Sequence, residues 1–198
     1  LSLIRTSLKA AQFIWKDKNL PETKVRVENL ELVPLYCIAK IEGLTVSKSP
    51  DKWVSKLSDC GARSINNIAD ITNLIMLEYG QPLHVFDADQ IKDETLIVRC
   101  AKQGEEIKTL DEKVRKLSTS DLLITDPEKA VGIAGVMGGK NSEISDHSTT
   151  VLLEVAIFDP GNLRKTAQRL NLPSEASKRF QHGLTKKRAL QALDAAIK

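Results

Sequence analysis

A chain of 198 residues, 41% hydrophobic and 28% charged, has enough apolar side chains for a packed core, which excludes a globally disordered chain. Its net charge of +3 does not by itself mark a polyanion binder. Residues 1–27 carry six Lys/Arg against two Asp/Glu and residues 161–198 nine against two, while residues 28–160 carry fourteen against twenty-two, so a polyanion would be met at the ends only.

In chain order, residues 1–15 (LSLIRTSLKAAQFIW) read as an amphipathic helix. The alternating, β-branched run 35–46 (LYCIAKIEGLTV) reads as a strand. A helix follows, with Ser49 as its N-cap, Pro50 at its first position and Gly61 as its stop. Residues 66–80 place Ile68, Ile71, Leu74 and Ile75 at helical spacing and close at Gly80. QPLHVFD, 81–87, is expected as an extended turn, because the residue before Pro82 is pushed out of the helical region. Short runs over 94–135, split by Gly, Asp, Pro and Lys, predict mainly antiparallel strands, and 149–158 (TTVLLEVAIF) another. Asp159-Pro160 opens a helix to about 171, SEASKRFQHG is a short helix, and a last one starts near 185. Strands in the centre and helices outside predict an α+β fold. Both ends fall inside helix-like sequence, and the chain starts at Leu1, so a fragment of a longer protein is expected.

Cys37, Cys60 and Cys100 are odd in number and lack C-x-x-C spacing, which argues against a disulfide framework or a structural zinc site and fits a reducing cytoplasm. No H-x-x-x-H spacing suggests a metal. No apolar run reaches the roughly 18 residues of a membrane span.

Three stretches carry chemistry. GIAGVMGGKNSE, 132–143, is not a phosphate loop: aligned on Gly139-Lys140, Ala134 replaces the required glycine and Asn141 the Ser/Thr. It is either a tight turn or a loop whose bare backbone lines a pocket. Glu154, flanked by apolar residues, faces solvent on an edge strand or is buried and needs a partner. His84 is a satisfied structural residue or a site residue, with the hydroxyl of Thr72 and the amide of Asn73 upstream of it.

GARSINNIADITNLIMLEYGQPLHVFD, AVGIAGVMGGKNSEIS and VLLEVAIFDPGNLRKTAQRLNLPSEASKRFQHG, in that order, resemble the editing module of bacterial phenylalanyl-tRNA synthetase beta subunits over roughly residues 30–183. The resemblance implies a strand-rich β-sandwich of unusual topology wrapped by helices, with 1–27 as a leading helix and connector, 28–183 as editing core and 184–198 as the start of a following helix. It implies hydrolysis of mischarged Tyr-tRNA(Phe) without a cofactor in this segment. The parent would attach phenylalanine using ATP and magnesium, and pair with an alpha subunit in a two-plus-two heterotetramer. It assigns His84, Thr72 and Asn73 to orienting ester, tRNA end or water. Glu154, Ala134, Gly135, Gly138, Ser174 and Ala176 go to the substrate pocket, with Glu154 reading the tyrosine hydroxyl. Ser174 stands where Thr is common, and RFQHG replaces the usual R-F-E-R-G, so Gln181 and His182 lose an acid and a base. A free-standing editing protein acting in trans and a non-catalytic tRNA-binding or subunit-contact domain are the alternatives.

Overall fold

The computed structural model describes residues 24–198; the helix expected over 1–15 lies outside them. The strands are β1 (Lys24–Val27), β2 (Leu35–Glu42), β3 (Leu83–Asp87), β4 (Thr95–Cys100), β5 (Glu106–Lys108), β6 (Val114–Lys116), β7 (Leu122–Thr125), β8 (Ala130–Ile133), β9 (Met137–Gly138) and β10 (Thr150–Ile157). The helices are α1 (Asp51–Asp59), α2 (Asn67–Tyr79), α3 (Pro160–Arg169), α4 (Glu175–Gln181) and α5 (Lys186–Ile197). One sheet runs β1-β4-β7-β8-β9, a second β2-β10-β3, and β5-β6 forms a separate hairpin. Only β1 and β4 pair in parallel; the other pairs are antiparallel, giving the mixed α+β architecture expected.

The alternation of β10 decides the layering, since successive side chains of a strand point to opposite faces. Val151, Leu153 and Val155 are buried against α2 and α5, through Ile68, Leu193 and Ala189. Leu152 and Ala156 face the other way and join Tyr36 and Phe86 in one core with Leu96 and Leu123 of the five-stranded sheet. The protein is thus a sandwich with α2 and α5 on the outer face of the small sheet.

Buried carboxylates fasten the helices. Asp70, fully buried in α2, accepts from Ser49 Oγ at 2.6 Å, Ser64 Oγ at 2.5 Å and the Ile65 amide at 2.9 Å. That overturns the cap expected at Ser49: its hydroxyl goes to Asp70, and α1 starts after Pro50 with no side-chain cap. Asp159 does cap α3, accepting from the Asn162 amide at 2.7 Å with Pro160 in the first turn. QPLHVFD departs from the expected turn: its last five residues form β3, paired along β10 from Leu83 to Asp87. Pro82 sets an extended backbone at the strand's start, and β10, distant in sequence, supplies the hydrogen bonds that keep it extended.

Candidate functional site

Between the two sheets lies a largely apolar cavity of about 280 Å³. Its walls include Phe86 and Ile124 from the sheets, Met76 from α2, Leu110 from the turn between β5 and β6, and Phe180 from α4. Its polar wall groups come from separate elements: Asn73 on α2, His84 on β3, Glu154 on β10, and Ser174 and Glu175 at the start of α4.

Glu154 sits on the central strand of its sheet, not on an edge, and keeps only 6% of its surface exposed. It is directly opposite His84 in the β10–β3 register. On the other side Tyr36 of β2, fully buried, donates its hydroxyl to Glu154 Oε2 at 2.7 Å. Burial pushes the Glu154 carboxyl up to about 7, with the Tyr36 hydrogen bond pulling the other way. Tyr36 itself is held well above its ordinary value, by burial first and by Glu154 second. Burial drives the His84 imidazole down to about 4. At neutral pH His84 is therefore uncharged, and burial favours the neutral form of Glu154. The His84 ring meets Phe86 edge-on, centroids 4.5 Å apart.

The glycines do more than leave room. A Cβ on Gly138 would lie 2.5 Å from His84 Cε1 and 2.9 Å from Nε2, so the imidazole rests directly on bare backbone. Gly135 has φ +66° in the turn between β8 and β9, and a Cβ there would collide with Leu163, Phe158 and Phe180 rather than project into open cavity. The loop at 132–139 is thus both a hairpin turn and a cavity wall.

Of the residues singled out in the sequence, His84, Asn73, Glu154, Ala134, Gly135, Gly138, Ser174 and Ala176 all line this one cavity. Thr72 is not among its lining residues: the buried hydroxyl donates to the Ala69 carbonyl within α2 at 2.7 Å. The Ser174 hydroxyl is held in place twice over, donating to Val136 O at 2.9 Å and accepting from the Ser177 amide as cap of α4. Gln181 and His182 lie at the far end of α4 and outside the cavity lining, and His182 is exposed. Sequence reading missed Tyr36; the alternation of LYCIAK puts it on the same face as Ile38, but only the pairing of β2 with β10 shows that this face holds Glu154.

Residues 32–198 match the family described as the B3/4 domain, and the chain belongs to that family. The chain is similar to phenylalanine–tRNA ligase beta subunits. It is 49% identical over 172 residues to that of Dehalococcoides mccartyi, covering 87% of this chain and 21% of the relative. It is 43% identical over 175 residues to that of Staphylococcus aureus, covering 88% and 22%. The chain therefore spans about a fifth of the length of these relatives. Its fold is similar to a crystal structure of an N-terminal fragment of the phenylalanyl-tRNA synthetase beta subunit from Pyrococcus horikoshii, with a TM-score of 0.59 at 15% identity over 94% of this chain and 50% of that one.

Proposed function

We propose that this chain is the editing module of a phenylalanine–tRNA ligase beta subunit and hydrolyses mischarged Tyr-tRNA(Phe). The observation that carries the reading is Glu154, a buried carboxyl group in the wall of a largely apolar cavity. An apolar cavity of about 150 Å³ accommodates benzene, so one of about 280 Å³ has room for a phenol ring and part of its ester. Phenylalanine and tyrosine differ by one hydroxyl. A hydrophobic pocket rejects an added hydroxyl by only about 10²-fold, whereas a site built to bond a hydroxyl rejects its absence by about 10⁴–10⁵. Glu154 supplies that bond, and a ligand lacking the hydroxyl leaves the group unmatched.

His84 and Asn73 then orient the ester carbonyl and the water that attacks it, releasing tyrosine and the free tRNA hydroxyl. A base with a pKa near 4 takes up a proton poorly at neutral pH, so His84 acts by holding the water. In this reading ATP and magnesium serve the ligation site elsewhere in the parent enzyme. An alpha subunit completes a two-plus-two heterotetramer in the cytoplasm. The test is the ratio of hydrolysis rates for tyrosyl- and phenylalanyl-tRNA(Phe). Glu154→Ala should lower it roughly 10- to 150-fold, the range of a 1.5–3 kcal/mol charged hydrogen bond. A ratio equal to that of the parent would refute the assignment.

A further inference from the structure

Among the described residues the only hydrogen-bond partner of the Glu154 carboxyl is a tyrosine of the protein itself. Tyr36 is opposite Ala156 in the β2–β10 register and Glu154 is opposite Ile38, so the Tyr36 hydroxyl reaches diagonally along the cavity-facing side of the sheet. The contact, 2.7 Å from hydroxyl to Oε2, is as short as charge-assisted O–H···O bonds are. The tyrosine that makes it has no exposed surface. No Lys or Arg forms an ion pair with Glu154 among the described residues. Lys40, on the same face of β2, is taken by Glu94 at 2.6 Å and Glu42 at 3.0 Å. The titratable groups facing Glu154 are Tyr36 from β2 and His84 from β3, with Glu175 of α4 on the same cavity wall.

We infer that Tyr36 is a positioning residue for substrate selection: it engages Glu154 Oε2 and leaves the other carboxyl oxygen to read the hydroxyl of a phenolic substrate. The inference rests on the cavity being the tyrosyl-ester site. A phenol has one proton to donate, and Tyr36 gives it to Oε2. When Glu154 binds a proton, Oε2 already faces a donor, so the new proton resides on Oε1. Oε1 is thus an acceptor when the carboxyl is ionised and a donor when it is neutral. A substrate phenol can answer either state, because it donates and accepts. A phenyl ring can answer neither. Without Tyr36 the carboxyl is free to turn, and its proton can sit on either oxygen, so the hydroxyl is read less selectively.

The experiment uses the whole synthetase carrying this chain with Tyr36→Phe, which deletes one oxygen and keeps the ring. The expected result is about a tenfold fall in the tyrosyl-to-phenylalanyl ratio of kcat/KM, the lower end of what a charged hydrogen bond confers. It should appear in KM for the tyrosyl substrate, with phenylalanyl hydrolysis unchanged. Binding of non-hydrolysable amide-linked tyrosyl- and phenylalanyl-adenosine, measured by calorimetry, checks the same point without catalysis. Loss of affinity confined to the tyrosyl analogue supports the inference, and equal loss for both reduces Tyr36 to a packing residue and overturns it. Glu154→Ala separates the two levels. If it lowers the ratio and Tyr36→Phe does not, the Tyr36 inference alone falls. If Glu154→Ala leaves the ratio unchanged, the reading of the cavity falls and the inference with it.

Discussion

Glu154 and His84 impose opposite pH dependences on folding, and Glu154→Gln should expose the one that is hidden. Burial lowers His84 from 6.5 to about 4, so between those values the unfolded chain binds a proton that the folded chain does not, and stability rises with pH. Burial raises Glu154 from 4.5 to about 7, so the folded chain holds a proton that the unfolded chain has lost. Its contribution is fully present below 4.5 and is lost as pH rises through 7. Each slope is 1.36 kcal/mol per pH unit, and each window spans about 2.5 units, so each is worth about 3 kcal/mol. In the overlap from about 4.5 to 6.5 they nearly cancel. Glu154→Gln keeps an acceptor for Tyr36 and removes only the falling contribution. Urea denaturation of both proteins from pH 4.5 to 7.5 measures the effect. The stability of the variant minus that of the parent should climb by about 3 kcal/mol across the window, and every other titrating group drops out of that difference. A difference flat in pH would show that Glu154 titrates normally and is not desolvated, which would undo the electrostatic picture of the cavity.

Two further outcomes follow from the geometry around His84. His84→Ala should slow tyrosyl-tRNA hydrolysis by about 10-fold, below the 10²–10⁴ expected of a general base; a loss of about 10²-fold or more would restore His84 as a base. Gly138→Ala forces a methyl group to within 2.5 Å of the imidazole, so it should cost about as much activity as His84→Ala, and the double variant should be no slower than either alone; additive losses would show that the two residues act separately.

What was legible in the sequence is what neighbouring residues determine. The two-residue period of VLLEVAIF places Leu152 and Glu154 on one face and Val151, Leu153 and Val155 on the other, and so they lie. Asp159-Pro160 announces α3, and Gly80, at φ +67°, closes α2. The failures share one cause, a partner far along the chain. Ser49 looks like a cap but bonds Asp70, twenty-one residues away. QPLHVFD looks like a turn until β10 pairs with it. Tyr36 and Glu154 are 118 residues apart, and nothing local in LYCIAK marks the tyrosine as the partner of a carboxylate. Thr72 lies off the cavity lining for the opposite reason: a hydroxyl inside a helix bonds the carbonyl one turn back, a contact sequence proximity alone supplies. Resemblance named the candidate residues together, while their division into cavity groups, caps and turn formers required the packing around them.

On the proposed reading the cavity is suited to selection more than to acid–base chemistry. A protein that needed a proton acceptor at pH 7 would keep its imidazole near that value; here burial takes His84 to about 4. The group that does titrate near neutrality is Glu154, on the wall where a ring substituent would arrive. Burying that carboxyl opposes its ionisation, and among the described residues only Tyr36 offsets the loss of water with a hydrogen bond. Among the described residues the carboxyl receives one protein hydrogen bond, on Oε2. On the proposed reading a ligand hydroxyl adds a second hydrogen bond to the carboxyl, and a bare ring adds none. The burial of Glu154 follows from the central position of β10, so on the proposed reading discrimination needs no movement of the chain. It needs only that Glu154 keep its orientation, which the neighbouring strands β2 and β3 enforce from either side.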